Sequence, residues 1–224
     1  MNSAAAVAQM LKRPDLPLVM NQLQQQLNAE AKRRHAFREW LDEDKKAEFI
    51  NGEIIMHSPV KRRHLKASGN LSTMLGIYVR LNDLGEILVE KALIGLTRND
   101  YEPDISFFSL KQTATFTDDQ MVFPAPDFVV EILSKSTAKN DRGIKLIDYA
   151  AHGVREYWIV DPEKQQVEQY LLIGEDTEFM PANKHLIGQS IASKVIEGFE
   201  IPVEAIFDEA LCVETLKWFH KDQA

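Results

Sequence analysis

The sequence predicts an α/β protein, and three observations indicate this fold class. The run "PDFVVEILS" (126–134) is almost continuously apolar over the length of one strand, which is typical of a strand buried on both faces. A helical pattern follows it, and the run "REYWIVDP" (155–162) then predicts a second buried strand. Earlier in the chain, apolar residues recur at three- and four-residue steps from Arg63 to Asn82, which predicts a helix with one buried side.

Composition and charge limit the classes of protein that the chain can be. Its 224 residues are 45% apolar and 27% charged, which is enough apolar material to bury a core. Ten glycines and nine prolines are too few for a low-complexity chain, and no apolar run approaches the roughly 18 residues of a membrane span. The single cysteine excludes an internal disulfide, and no secretory signal pattern opens the sequence. We therefore expect a water-soluble, cytoplasmic protein without a membrane segment.

Two regions of the chain differ in composition. Residues 1–45 are rich in Ala, Gln, Lys and Arg and predict a helical N-terminal extension with a weak apolar face. Residues 46–224 carry the remaining elements without an internal linker and predict one folded domain. The first of these elements is a β-hairpin, because two short apolar runs flank Asn51 and Gly52, which tolerate the positive φ angles of a type I′ turn.

Segments of strand length and helical periodicity follow the hairpin. After the helix that ends near Asn82, two β-branched and aromatic segments predict strands, and the polar segment 111–124 predicts a loop. A further helix is expected after the segment "KSTAKND" (135–141), running to about His152, where Gly153 stops it. Antiparallel strands and a closing helix are expected in the last part of the chain, within "QVEQYLLIG" (166–174), "GFEIPVEAIF" (198–207) and "PVEAIFDEALCVETLKWFH" (202–220).

Two acidic residues lie inside apolar strands, where ionised side chains are unfavourable. Asp104 opens the strand "PDISFF" (103–108), and Glu131 stands in the middle of "PDFVVEILS". A hard divalent cation such as Mg²⁺ or Mn²⁺ is the simplest group that holds two neighbouring buried carboxylates ionised. We therefore expect a metal site with Asp104 and Glu131 as ligands. Asp127 faces the same side of its strand as Glu131, and a pairing of those two acids, with Asp104 peripheral, is the open alternative.

The helix after the central strand supplies a candidate amine. Asp141, Lys145 and Tyr149 recur at four-residue steps and therefore line one side of that helix. The ammonium of Lys145 can then reach the carboxylates, orient a metal-bound water and offset the charge that builds on a phosphate. This combination suits phosphodiester hydrolysis. Tyr149 is an accessory candidate, and Asp141 is expected to charge the helix N-terminus rather than to bind metal.

Several tracts of the sequence resemble the Uma2 family. They are "NGEIIMHSP" (51–59), "HLKASGNL" (64–71), "EPDISFF" (102–108) and "PDFVVEILSKSTAKNDRGIKLIDYAAHGVREYWIVDP" (126–162). The resemblance covers roughly Glu48 to Phe207, and Uma2 proteins are grouped with restriction endonucleases in the PD-(D/E)XK nuclease superfamily. It implies a restriction-endonuclease-like fold for residues 46–224: a mixed β-sheet flanked by helices, with a core order of helix, three strands, helix and strand.

The resemblance also implies roles for individual residues. Asp104 would be the superfamily's aspartate and Glu131 its second acid, both of them metal ligands. The superfamily's lysine usually stands two residues after that acid, where this chain has Leu133. Uma2 proteins place the lysine on the next helix, which implies Lys145 here. Lys135 shares the strand parity of Glu131 and is the second candidate.

The expected function is Mg²⁺- or Mn²⁺-dependent endonucleolytic cleavage of DNA by a homodimer, because two symmetric sites are the simplest way to cut both strands. The net charge of −8 repels DNA, so a local basic patch is required, and the run "KRRHLK" (61–66), which includes His64, is the candidate. Glu53, beside the hairpin turn, resembles a family position near the site. The alternative is a catalytically inactive module of the same fold, used for DNA binding or protein assembly, whose carboxylates and lysine form an internal ion-pair network.

Overall fold

The computed structural model describes the backbone of residues 3–221 and the side chains of residues 5–219. The helices are α1 Ser3–Met10, α2 Leu16–Trp40, α3 Arg62–Leu81, α4 Leu110–Thr113, α5 Ala138–Asp141, α6 Ile144–Ala151 and α7 Glu209–Lys221, with a 3-10 turn at Val203–Ile206. The strands are β1 Ala47–Ile50, β2 Glu53–Met56, β3 Gly85–Val89, β4 Leu93–Gly95, β5 Asp100–Tyr101, β6 Ile105–Ser109, β7 Val122–Phe123, β8 Phe128–Ile132, β9 Glu156–Asp161, β10 Gln166–Leu171, β11 Asn183–Leu186, β12 Ser190–Ala192 and β13 Glu200–Pro202.

A six-stranded sheet forms the centre of the fold, in the order β11-β10-β9-β8-β6-β3. Strands β8 and β9 run parallel and the other neighbours run antiparallel, so the sheet is mixed. Along the chain, α3, then β3, β6 and β8, then α5 and α6, then β9 give the expected order of helix, three strands, helix and strand. The predicted fold class, a mixed sheet flanked by helices, is confirmed.

Alternating side chains of the central strands pack into two separate apolar cores. Phe107, Val130 and Trp158 lie in the core that α3 and α7 cover. Phe108 and Val129 lie in the core on the opposite face of the sheet, together with side chains of α6. Because side chains alternate along a strand, the positions two residues from Phe108 and Val129 also face α6.

A smaller sheet, in the order β2-β1-β5-β4-β7, packs beside the first. Its hairpin turns at Asn51 and Gly52, whose φ angles are 50° and 88°, as a type I′ turn requires. Strand β1 is buried over its whole length, which places Glu48 in the protein interior. The hairpin expected from the sequence is therefore confirmed.

Helix α2 lies against the smaller sheet through its C-terminal half. Arg34 and Arg38 both pair with the fully buried Asp100, at 2.6 Å and 2.5 Å. Phe37 packs with Phe49 in a third apolar cluster. The division of the chain at residue 45 stays a prediction. None of the helices in the described part of the chain combines the length and hydropathy that crossing a membrane needs.

The structure departs from the expected elements in three places. The segment 135–141, expected to precede the helix that ends near His152, itself contains the short helix α5, and a break at Gly143, with φ −119° and ψ −99°, separates α5 from α6. A Cβ atom at Gly143 would lie 2.7 Å from the carbonyl oxygen of Lys139, so the break requires glycine. The expected loop 111–124 contains most of α4 and all of β7, and the expected closing helix begins with the 3-10 turn.

Candidate active site

Asp104 and Glu131 come together where β6 begins and β8 ends. Ile105 lies opposite Val130 in the antiparallel register, so Asp104 lies beside Glu131, whose side chain faces α6. The Oδ2 atom of Asp104 accepts a hydrogen bond of 2.7 Å from the backbone N–H of Ile132. Both carboxylates line one pocket of about 190 Å³. The structure thus brings together the two acids that were expected from the sequence to be metal ligands.

Lys145 reaches this point from the first turn of α6. Its side chain is 1% exposed, and its Nζ atom lies 2.9 Å from Oε1 of Glu131 and 2.8 Å from Oε1 of Glu48. The Oδ1 atom of Asp141 lies 3.4 Å from the same ammonium. Tyr149, one turn further along α6, donates a hydrogen bond of 3.2 Å to Oε1 of Glu131. The amine and the accessory tyrosine expected from the helical spacing both contact Glu131.

The buried carboxylates outnumber the cations in this cluster, and the pKa values of two of these carboxyl groups are raised. Burial raises the pKa of Glu131 well above its ordinary value, although Lys145 opposes this shift. Burial likewise raises the pKa of Asp141, neither of whose carboxylate oxygens has a hydrogen-bond partner among the described residues. Burial alone would lower the pKa of Lys145, but Glu131, Glu48 and Asp141 raise it. Lys145 therefore stays protonated, and the cluster is short of positive charge.

Asp104 has a different environment from Glu131. Its Oδ1 atom lies 3.3 Å from Nε2 of His64, which is 6% exposed and stands in the first turn of α3. Burial favours the neutral form of Asp104, but the hydrogen bond and charge of His64 and the N–H of Ile132 together lower its pKa. Asp104 is therefore the more readily ionised of the two acids, and His64 lies at the site, where the basic run was expected to contribute.

Three other candidates from the sequence lie outside this cluster. Asp127 stands before the opposite end of β8, where it pairs with Arg155 at 3.0 Å and accepts a hydrogen bond from the backbone of Ser109. Glu53 is exposed at the edge strand β2, and Lys135 is exposed in the turn after β8. None of these three lines the pocket that holds Asp104 and Glu131.

Other residues at this site were not among the candidates expected from the sequence. Glu48 lies within a short buried strand, the same pattern that identified Glu131, and this signal points to Glu48 rather than Glu53. Glu102 is buried, and burial raises its pKa to about 7. His57 follows β2 and lies 3.7 Å from Oε2 of Glu48. Asp141, which was expected to charge a helix N-terminus, also lies 3.4 Å from the ammonium of Lys145. Only the pairing of distant strands brings these groups together.

The donor set at the pocket fits a hard divalent ion. Asp104 and Glu131 offer carboxylate oxygens, and Oε2 of Glu102, which also lines the pocket, is buried without a hydrogen-bond partner among the described residues. In residues 3–221, no group of three His, Cys, Asp or Glu side chains is arranged to hold a metal. Mg²⁺ is commonly held by only one or two carboxylates and retains several waters, whereas a structural Zn²⁺ site needs four ligands. The residues therefore fit a Mg²⁺-like ion and not structural zinc.

Comparisons with known proteins agree with this fold. The chain is 29% identical to the uncharacterized protein sll1609 of Synechocystis sp. (strain ATCC 27184 / PCC 6803 / Kazusa) over 149 residues, which is 63% of this chain and 82% of the relative. Its fold matches the crystal structure of "a putative nuclease belonging to DUF820" from Anabaena variabilis ATCC 29413, with a TM-score of 0.66 and 17% identity. That match covers 80% of this chain and 96% of the other.

A family match extends over most of the chain. Residues 34–204 match the family Uma2, described as "Putative restriction endonuclease". The match begins inside α2, earlier than the resemblance expected from Glu48, and so includes the end of the helix, where Arg34 and Arg38 pair with Asp100. The resemblance identified from the sequence is confirmed: the chain belongs to the Uma2 family.

Proposed function

We propose that this protein is an endonuclease that hydrolyses phosphodiester bonds in DNA with Mg²⁺ or Mn²⁺. The observation that carries the proposal is the meeting of Asp104, Glu131 and Lys145 at one buried point that opens into a pocket. The family description and the name of the structural neighbour support nuclease chemistry. Proteins of this class generally use divalent metal ions, and the carboxylate excess described above suits one.

Each residue of the site has a distinct role in the proposed reaction. Asp104 and Glu131 would hold the ion, which when bound lowers the pKa of a coordinated water and polarises a phosphoryl oxygen. Lys145 offsets negative charge on the phosphate and, from 2.9 Å, favours the ionised form of Glu131 against the effect of burial. Glu48 holds the ammonium of Lys145 in place at 2.8 Å, and His64 orients Asp104. Each acid is thus fixed by a partner from a different helix.

Nicking of supercoiled plasmid DNA tests the proposal. The wild type should nick plasmid with Mg²⁺ or Mn²⁺ and not with EDTA, and Asp104→Asn and Glu131→Gln should lose this activity. Asp127→Asn is the matched control, because it removes one carboxylate from the same strand region but outside the pocket. Equal nicking by all four purified proteins would refute the assignment of Asp104 and Glu131.

A second candidate function is favoured by one observation. Lys145 already contacts three carboxylates, so the cluster can serve as an internal ion-pair network in a module that binds DNA or assembles with protein. Under this alternative, neither Mg²⁺ nor Mn²⁺ should support nicking or raise the thermal midpoint of the wild type. A metal-dependent rise that Asp104→Asn abolishes would exclude it.

We further propose that the protein acts as a cytoplasmic homodimer, because two symmetric sites can cut both strands of a duplex. The N-terminal half of α2 offers a surface for self-association. Met20, Leu23 and Leu27 share one side of the helix and are 44–59% exposed. Residues 16–29 include no charged side chain, so two copies meet without like-charge repulsion. Light scattering should give twice the chain mass for the wild type and a smaller mass for Leu23→Glu; a wild-type monomer would refute the dimer.

A further inference from the structure

A second cleft, of about 320 Å³, adjoins the pocket that holds Asp104 and Glu131. One wall is the start of α3 with the segment before it, and the other is the turn between β8 and α5. The two cavities share five lining residues, which are Pro59, Val60, His64, Ser134 and Ser136. A chain-like ligand that occupies the first pocket can therefore continue into this cleft.

The rim of the cleft carries positive charge that the protein does not neutralise. Lys61 and Lys135 line it, are exposed, and form no ion pair within the described residues. The two acids of the lining are paired already: Glu163 contacts Arg63 at 3.2 Å, and Asp161 lies 3.9 Å from Arg142. The unpaired charge at this cleft is therefore cationic, in a chain with a net charge of −8.

The beginning of α3 adds to this positive field. Lys61 is the N-cap residue and makes no capping hydrogen bond with its side chain, and the first turn has no acidic residue. It has Arg62 and Arg63 instead, although acidic side chains are the ones that stabilise a helix N-terminus. The unpaired N–H groups of a first helical turn and basic side chains at the same end both attract a phosphate.

An independent observation comes from His64, which lies in the wall between the two cavities. The residue is 6% exposed, and its Nδ1 atom is buried without a hydrogen-bond partner among the described residues. Buried polar groups normally have partners, so this nitrogen has capacity for one further hydrogen bond. The facing turn supplies the hydroxyls of Ser134 and Ser136, whose oxygens lie 2.9 Å apart; one proton joins the pair, and Ser136, when it accepts this bond, can donate to an anion.

We propose that this cleft binds a backbone phosphate of the nucleic acid strand, adjacent to the phosphodiester that enters the pocket of Asp104 and Glu131. The inference rests on the proposed function, because it gives the substrate's path across the same site. Lys61 and Lys135 act as point charges on opposite walls, and the start of α3 adds the positive field of a helix N-terminus. The groups named contact only the backbone, so this subsite adds affinity without reading sequence.

Salt-dependent DNA binding tests the cleft directly. Binding of a fluorescent DNA duplex is measured by anisotropy at several salt concentrations, with Ca²⁺ in place of Mg²⁺. The variant Lys61→Ala/Lys135→Ala should bind more weakly, and the slope of log affinity against log salt should become shallower by about 0.9, which is the contribution of one neutralised phosphate. The matched control is Lys111→Ala/Lys217→Ala, which removes two exposed lysines that line neither cavity. Its slope should equal that of the wild type.

The outcomes separate this inference from the proposed endonuclease. An unchanged slope in the Lys61/Lys135 variant, an equal change in the control, or no binding by the wild type would refute the proposed phosphate site. If the wild type nicks plasmid while the slope is unchanged, the phosphate site is refuted and the proposed endonuclease activity is supported. If the wild type binds with the expected slopes but does not nick with Mg²⁺ or Mn²⁺, the phosphate site is supported and the endonuclease activity is refuted.

Discussion

Replacing Lys145 by methionine removes the ammonium from the buried cluster while keeping most of the side-chain volume. The contacts at 2.8 Å to Glu48 and 2.9 Å to Glu131 are each worth about 6 kcal/mol before desolvation, at an effective dielectric constant of about 20. Desolvation of the lysine offsets most of this attraction. Removing one partner of a buried pair costs about 3–5 kcal/mol, because the other charge is left uncompensated. For a chain of this size, the thermal midpoint should fall by about 6–20 °C.

Thermal unfolding followed by circular dichroism measures this loss. The control is Lys139→Met, which removes an exposed lysine from α5 and should change the free energy of unfolding by less than about 0.5 kcal/mol. Adding Glu131→Gln to Lys145→Met should restore part of the lost stability, because it removes one buried carboxylate that has no compensating cation. Equal midpoints for Lys145→Met and Lys139→Met would refute the account of the cluster.

The loss in Lys145→Met should also depend on pH. Burial already raises the pKa of Glu131 and Asp141, and removing the ammonium raises both further. A carboxyl group with a raised pKa in the folded state binds a proton that the unfolded chain releases. The variant should therefore be most stable below about pH 4.5, the ordinary pKa of glutamate, and should lose stability as the pH rises above it. A loss that is the same below about pH 4.5 and at neutral pH would contradict this reasoning.

Three further predictions concern stability elsewhere in the fold. Burial raises the pKa of Glu102 from 4.5 to about 7, so in urea denaturation the wild type should lose stability across that pH interval and Glu102→Gln should lose less. Asp100 pairs with two arginines of α2 and is fully buried, so Asp100→Asn should lower the thermal midpoint by several degrees, whereas Asp15→Asn, at an exposed pair, should leave it unchanged. At Gly85, φ is +144° and a Cβ would clash with a backbone oxygen of the facing strand, so Gly85→Ala should cost about 1–3 kcal/mol in denaturant unfolding. Gly69→Ala is the matched control: it lies in helix α3 with open space around the new Cβ, and it should raise the free energy of unfolding by about 0.5–1 kcal/mol.

Each of these predictions has a contradicting result. Parallel pH profiles for the wild type and Glu102→Gln would mean that this carboxyl does not change its protonation on unfolding. Equal midpoints for the Asp100 and Asp15 variants would mean that α2 is not held by the buried pair. A neutral Gly85→Ala would mean that the chain relaxes at the start of β3 without cost.

Local patterns were enough to predict much of this fold. The hairpin follows from Asn51 and Gly52, and α3 follows from its apolar spacing, with bounds within one residue of those observed. The apolar run around Glu131 correctly marked a central strand, β8, which lies between β9 and β6. Helix α6 presents Lys145 and Tyr149 on one side, as the four-residue spacing indicated.

The remainder depends on contacts between distant segments. Glu48 joins the site only because β1 pairs with β5 and lies near α6, and no local pattern encodes that placement. Asp127 and Glu131 share strand parity, yet the register with β6 puts Asp104, not Asp127, beside Glu131. The break at Gly143 likewise depends on a close approach to the carbonyl of Lys139, which helical periodicity does not reveal.

Calorimetric titration with Mn²⁺ tests most directly whether Asp104 and Glu131 share one divalent ion. We expect one ion per chain for the wild type, the same stoichiometry for Asp127→Asn, and no binding for Asp104→Asn or Glu131→Gln. Equal binding by all four proteins, or a loss confined to Asp127→Asn, would contradict this expectation.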